Sequence, residues 1–233
     1  MQLNELLEQL FEPGFAVNNE ASVVSGSGKL NGQEFAFIGT CDHALIGVRE
    51  ILVLSDKFLE IIKNKPGCPI LMLVDNDGQR MALEEELLGL PQYIGHIVSI
   101  QDYARRNGHK VISIVYGNAS AGGFIAFGMG AQSRIYAVDG ANPSVMNLSA
   151  ISRVTKLPLK QLQELSQTVP VFAPGCANFY KMGGLHEVWK GNLGQCLQDA
   201  LDNYGDDDNR AALAYERGGR TEAVNIINDV INA

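Results

Sequence analysis

Apolar positions recur along the chain with helical spacing in several places. Leu3, Leu6, Leu7 and Leu10 mark one face of a short helix that stops at Pro13 and Gly14. Ile51, Leu54, Phe58, Ile61 and Ile62 mark a second helix, closed by Pro66, Gly67 and Pro69. A long helical stretch over residues 81–106 is expected to break near Gly89 and Pro91. Pro158 opens a helix carrying Leu159, Leu162 and Leu165, and Leu193, Cys196, Leu197, Ala200 and Leu201 form a stripe on another. A last helix begins near Thr221, with Val224, Ile227 and Ile231 on one face.

The strands show a different pattern. Residues 22–30 and 33–40 flank Asn31 and Gly32, a pair that predicts a β-hairpin. Residues 70–74 (ILMLV) and 111–116 (VISIVY) are continuous apolar runs, as in strands buried on both faces, and residues 134–138 form a third short run. Pro174, Gly175, Gly183 and Gly184 punctuate a loop-rich segment before residues 185–189. Strands therefore alternate with helices, which predicts an α/β fold of mostly parallel strands with ligands at their carboxyl ends. One domain is expected over residues 1–233, with a helical arm over 1–14 and C-terminal helices over 192–233.

Composition narrows the function. A net charge of −8 and a pI near 5.0, without a polybasic block, exclude a nucleic-acid partner. No apolar run approaches the roughly 20 residues needed to cross a bilayer, and the first residues carry Glu5 and Glu8 rather than a basic leader. A cytoplasmic location away from membranes is expected. Cys41, Cys68, Cys176 and Cys196 form no C-x-x-C pair, and His43, His96, His109 and His186 sit at no ligand spacing, so no metal site is expected. Each histidine reads as a surface or hydrogen-bonded structural residue, Tyr116 and Tyr180 as packing, and Asp206 to Asp208 as a solvated loop. Gly26 and Gly28 form a G-x-G that lacks the third glycine and following helix of a dinucleotide site.

The chemistry concentrates in residues 111–132. A buried strand leads into a turn of small residues, 117–123, and a buried helix is expected from Phe124 onward. The first amides of such a helix lack internal partners and face whatever sits above the turn, a cradle for developing negative charge. Small side chains let a ligand approach. Asp75, Asn76, Asp77 and Gly78 end the preceding strand, where capping and turn chemistry are commoner than a direct ligand role.

VDNDGQRMALEEELLG, followed by a helix and YGNASAGGFIAFGMGAQ, resembles the two loops of the carboxyltransferase branch of the crotonase superfamily. Together with SRVTKLPL, PVFAPGCANFYKMGGLHEVW and the Asn-Gly hairpin, these residues resemble the gamma subunits of biotin-independent malonate decarboxylases over roughly residues 15–190. The resemblance implies a crotonase-like spiral core of repeated ββα units with peripheral helices, and partnership with a homologous beta subunit. It implies decarboxylation of a malonyl thioester to an acetyl thioester, carried on an acyl carrier protein whose prosthetic group derives from coenzyme A. No biotin and no cofactor on this chain itself are implied. The family's Gly-Gly step falls on Gly122 and Gly123, with Phe124 next, so these backbone amides are the implied catalytic donors. Asn76, Asp77, Gly78, Gly117, Asn118, Ser120 and Ala121 are the implied substrate-binding positions. Asn76 and Asp77 stand where related carboxyltransferases have a Thr-Pro step. By analogy, the Gly122 loop faces the malonyl carboxylate while the partner holds the enolate oxygen. A homodimer is expected of the isolated chain, and Gly123→Val is expected to block turnover with a near-native fold.

Two alternatives accompany this reading. Asn118 to Gly122 nearly spells the G-x-S-x-G elbow of a serine hydrolase, with Ser120 as nucleophile, but Asn118 replaces the first glycine. The Clp-type peptidases of the same superfamily place their serine where Ala121 stands here. A non-catalytic subunit is the other alternative, scaffolding its partner or docking an acidic carrier through Arg105, Arg106, Lys156 and Lys160.

Overall fold

The computed structural model describes residues 1–20, 22–130, 134–169 and 174–233. Gln132 and the first four residues of the PVFAPG segment lie outside these. Helix α1 (Leu3–Leu10) precedes an antiparallel meander of β1 (Ala16–Glu20), β2 (Val23–Leu30) and β3 (Gln33–Thr40). Asn31 and Gly32 both take positive φ, 51° and 78°, as a two-residue hairpin matching the strand twist requires. β1 was not signalled by hydrophobic alternation because every one of its residues is exposed.

The chain continues through β4 (Ala44–Ile46), α2 (Val48–Asn64), β5 (Ile70–Gln79), α3 (Leu83–Leu88), α4 (Leu90–Arg106) and β6 (Val111–Ser120). A short α5 (Ala121–Gly123) passes directly into a π turn, Phe124–Gly128. Then come β7 (Arg134–Val138), β8 (Asn142–Ser144), α6 (Leu148–Thr155), α7 (Leu159–Thr168), α8 (Cys176–Lys181), β9 (Glu187–Trp189), α9 (Leu193–Asp202), α10 (Arg210–Glu216) and α11 (Thr221–Ile231). The sheet runs β1-β2-β3-β5-β6-β7-β9, parallel from β3 onward, with β4 added beside β5 and β8 beside β6. The expected break near Gly89 is present: Gly89 takes φ 85° between α3 and α4.

Two strands are longer than their apolar runs. β5 extends past Val74 to Gln79, and β6 past Tyr116 to Ser120, so Asp75 to Gly78 lie within a strand rather than in a turn after it. The ladder shifts register between Val74 and Asn76, and beyond that bulge β5 pairs with β4 while the end of β6 pairs with β8. The polar ends thus form a second small layer at the carboxyl edge, giving the ββα units of the expected spiral. Hydrophobicity alone could not report it, because polar residues carry the ladder there.

Alternation along β5 divides the core. Ile70, Met72 and Val74 face α2 and α4 with Ile51, Leu54, Phe58, Ile97 and Ile100, whereas Leu71 and Leu73 face α1 and α9 with Leu7, Leu10, Leu193 and Leu197. Both faces are covered, which is why β5 and β6 read as unbroken apolar runs. Among the described residues, no helix is long and apolar enough to cross a membrane.

The three acids of residues 206–208 are exposed, as a solvated loop would be, and two of their carboxylates also pair with arginines. Asp207 accepts from Arg134 at 3.0 Å, Asp208 pairs with Arg210, and the Asp206 carbonyl accepts from Arg105 at 3.3 Å. Arg134 lies 6% exposed at the start of β7, so its charge needs such partners. Beside it, His186 Nδ1 accepts from the Ile135 N–H at 3.0 Å, which places the proton on Nε2, 3.2 Å from Asn209 Oδ1. Burial, and then the Arg134 charge, hold the His186 pKa below its ordinary 6.5. The unfolded chain therefore takes up this proton first, so stability is complete above pH 6.5 and declines as pH falls below it. The melting temperature is expected to drop between pH 7.5 and 5.5, and His186→Gln, which keeps an acceptor for the Ile135 N–H, is expected to reduce that drop. An equal drop in the variant would assign the pH dependence elsewhere.

Candidate functional site

β4, β5 and β6 meet at the carboxyl edge, with Ala44 opposite Asn76 and Asn76 opposite Ala119. Asp75 sits here, 5% exposed, and its carboxylate is the hub. Oδ1 accepts from the Asn118 N–H at 2.8 Å and contacts His43 Nδ1 at 2.8 Å, while Oδ2 accepts from the His43 N–H at 3.1 Å. The Asp75 N–H donates to Thr40 Oγ1 at 3.2 Å. A β-carbon on Gly117 would overlap the carboxylate, so glycine there is a packing requirement of the hub. His43 reads in the sequence as an isolated histidine; its partner lies 32 residues away and becomes visible only when β5 is known to continue through Asp75.

The expected site residues gather around this hub. Asn118 Nδ2 donates to Asp77 Oδ1 at 2.7 Å across the β5–β6 ladder. Asn76 is fully buried, and its Oδ1 accepts from the Gly78 N–H at 3.2 Å. Gly78, with φ 98°, brings the strand end against Ser120 and Ala121. Ala121 itself takes φ 46° at the apex between β6 and α5, a left-handed conformation uncommon for a non-glycine residue and concentrated at functional turns. The helix thus begins at Ala121, earlier than the apolar run implies, and Gly122 and Gly123 form its first turn.

Two of the three predicted donor amides have partners within the chain. The Gly122 N–H donates to Gln79 Oε1 at 2.9 Å, and the Phe124 N–H donates to the Ala121 carbonyl. Gln79 was not singled out by sequence. Its side-chain carbonyl occupies the place in front of Gly122 where an anionic oxygen is expected, and its Nε2 donates to the Met81 sulfur at 3.6 Å. The expectation for Gly123→Val needs correction: a β-carbon there would stand 2.7 Å from Asn76 Oδ1 and 3.1 Å from the Gly78 backbone, so the fold would be disturbed with the chemistry. Gly122 is the better probe, because its β-carbon meets the mobile end of Gln79.

Other candidates fall away on geometry. The Ser120 hydroxyl meets the Ser144 hydroxyl at 3.3 Å, and among the described residues no histidine contacts it. Tyr116 is buried and donates to the Thr40 carbonyl at 2.8 Å, and Tyr180 carries the Arg217 guanidinium at 3.7 Å over its ring. Burial pushes the Cys41 thiol up to about 12 and Cys176 up to about 11, so both are protonated near neutrality. Among the described residues no group of histidine, cysteine and acid is arranged to hold a metal.

Residues 41–233 match the model of the malonate decarboxylase gamma subunit family. The chain is 36% identical over 138 residues to the malonyl-S-ACP:biotin-protein carboxyltransferase MADD of Malonomonas rubra, covering 57% of this chain and 47% of that protein. It is 28% identical over 145 residues to the acetyl-coenzyme A carboxylase carboxyl transferase subunit alpha of Flavobacterium johnsoniae, covering 58% of this chain and 44% of that protein. The chain thus spans about half the length of these curated relatives. Its fold matches a chain of a Pseudomonas malonate decarboxylase hetero-tetramer in complex with coenzyme A, at a TM-score of 0.75 and 22% identity over 94% of both chains. It also matches one from a Pseudomonas MdcD-MdcE hetero-dimer, at 0.72 and 23% identity over 96% of this chain and 93% of that chain. The carboxyltransferase-like spiral fold expected from the loop motifs is the observed one.

The Gly122–Gln79 bond supplies a direct test of the site's resting geometry. Gln79→Ala removes one partly exposed hydrogen bond, worth about 1 kcal/mol, so amide exchange at Gly122 should quicken roughly fivefold. Hydrogen exchange read residue by residue checks this; unchanged exchange would mean that Gln79 does not occupy the amide in solution.

Proposed function

The chain belongs to the malonate decarboxylase gamma subunit family, and from that premise we propose that it acts with a homologous beta subunit to decarboxylate a malonyl thioester. The substrate is carried on an acyl carrier protein through a coenzyme A-derived group, without biotin, in the cytoplasm. The observation that carries this reading is the strained strand-to-helix turn, in which Ala121 at φ 46° presents Gly122 and Gly123 at the first turn of the helix. Losing CO2 leaves an enolate, and fixed N–H donors stabilise carboxylate or enolate oxygens without any ionisable group. In this scheme the malonyl carboxylate displaces Gln79 from the Gly122 amide, and the beta subunit holds the enolate oxygen. Asn76 and Gly78 support the turn from β5, and Asn118, Asp77 and Gly117 fix its register.

The surface supports a large partner. Met81, Leu83 and Leu87, which follow Gln79 in the chain, are 81%, 76% and 79% exposed, and Ile125, in the π turn that continues from Gly122 and Gly123, is exposed too. Apolar side chains left this open beside a site are characteristic of an interface. For the carrier, Arg105 and Arg106 both pair with Asp102, which weakens their candidacy, whereas Arg153, Lys156 and Lys160 are exposed. The α6–α7 side is therefore the better match for an acidic carrier.

Enolate stabilisation by amides needs no nucleophile, whereas hydrolysis through this turn needs the Ser120 hydroxyl and a base. Ser120→Ala, assembled with the beta subunit, should release CO2 within about tenfold of the parent rate, the margin of roughly 1.4 kcal/mol for small packing shifts. The product should be acetyl thioester rather than free acid. Loss by several powers of ten, or a covalent adduct on Ser120, would favour the hydrolase.

A further inference from the structure

Decarboxylation leaves a carbanion that must gain a proton, and backbone amides cannot supply one. We propose that His43 is the acid that protonates the acetyl carbanion, with Asp75 as its positioning residue; the inference rests on the decarboxylase reading above. Three independent features of the carboxyl edge point to it. His43 Nδ1 is 2.8 Å from Asp75 Oδ1, and its N–H is 3.1 Å from Oδ2, so one buried carboxylate fixes both ring and backbone. Its side chain is nevertheless 60% exposed, against 8% for Asp75. Finally, Asp42 and His43 take consecutive positive φ of 56° and 53°, a conformation non-glycine residues rarely share and one that persists only where surroundings enforce it.

The dyad is tied to the turn. Asp75 Oδ1 also accepts the Asn118 N–H at 2.8 Å, so the imidazole and the backbone of Asn118, three residues before Ala121, share one oxygen. The other titratable groups at this edge suit the task less well. Cys41 is raised to about 12 and donates to Asp42, Asp75 is occupied on both oxygens, and Asp77 accepts from Asn118. With Nδ1–H held by the carboxylate, the imidazolium presents its second proton on Nε2.

The step balances simply. The bond between Cα and the carboxylate carbon breaks, CO2 leaves, and the electron pair stays on Cα, delocalised into the thioester. Nε2–H then delivers its proton to Cα, forming the methyl group of the acetyl thioester, and neutral His43 regains a proton from water. Net consumption is one proton per CO2.

The test uses the complex with the beta subunit and His43→Asn, chosen because asparagine tolerates the left-handed region and keeps the turn. The substrate is a malonyl thioester with one deuterium in defined configuration on its methylene, turned over in tritiated water. The parent should give acetyl product of a single configuration. His43→Asn should lower CO2 release about 100-fold to 10,000-fold and give racemic product, since solvent then protonates either face. A purely structural histidine would leave stereochemistry intact in the residual activity, and that result, or a parent-like rate, overturns the proposal. If the variant fails to assemble, racemic product from the parent overturns it. A parent complex that releases no CO2 overturns the decarboxylase reading itself.

Discussion

A buried carboxylate must find donors or be expelled, and the carboxyl edge of this protein is arranged around that constraint. Asp75 lies in the bend of β5, where three hydrogen-bonding contacts reach its oxygens from two other segments. Removing one partner of such a group typically costs a few kcal/mol because the charge is left unpaired. The hub joins the turn before β4, the bulged end of β5 and the end of β6, and it requires Gly117 to admit the carboxylate. Because β6 is held there, its continuation into Ala121 is held as well. The strained apex and the glycine amides that follow it are then fixed in place before any ligand arrives, which is the condition under which hydrogen-bond donors contribute most to catalysis.

Much of the fold was legible from periodicity. The helical stripes over α1, α2, α7 and α9 and the hairpin at Asn31 and Gly32 matched their elements because each buries apolar residues on one face or obeys one turn geometry, and the stripe over α11 matched a helix although it buries none of its residues. The missing parts share a cause. β1 is wholly exposed, and the ends of β5 and β6 carry polar residues whose burial comes from hydrogen bonds rather than from hydrophobicity. Likewise the Arg134 partner of Asp207 was hidden because the two are 73 residues apart.

The site was legible in location and less so in detail. Small residues after a buried strand identified the turn at Gly122 and Gly123, but Gln79 and the His43–Asp75 pair were hidden, since each depends on a contact 32 or more residues apart. Gln79 changes the picture of the resting state: the Gly122 donor is satisfied by a neutral amide oxygen, which a carboxylate can replace with a stronger charge-assisted bond. Exposed Met81, Leu83 and Leu87 beside Gln79 suggest why the partner matters for this exchange, since covering them removes water from the donors.

The most direct measurement is amide NMR of the chain, labelled with 15N and assembled with its beta subunit, during titration with a malonyl thioester analogue that cannot lose CO2. Carboxylate binding at the turn predicts the largest shifts at Gly122 and Gly123, together with release of the Gln79 side chain. Shifts confined to other parts of the chain, with the Gly122–Gln79 bond intact at saturation, would contradict a carboxylate site at this turn.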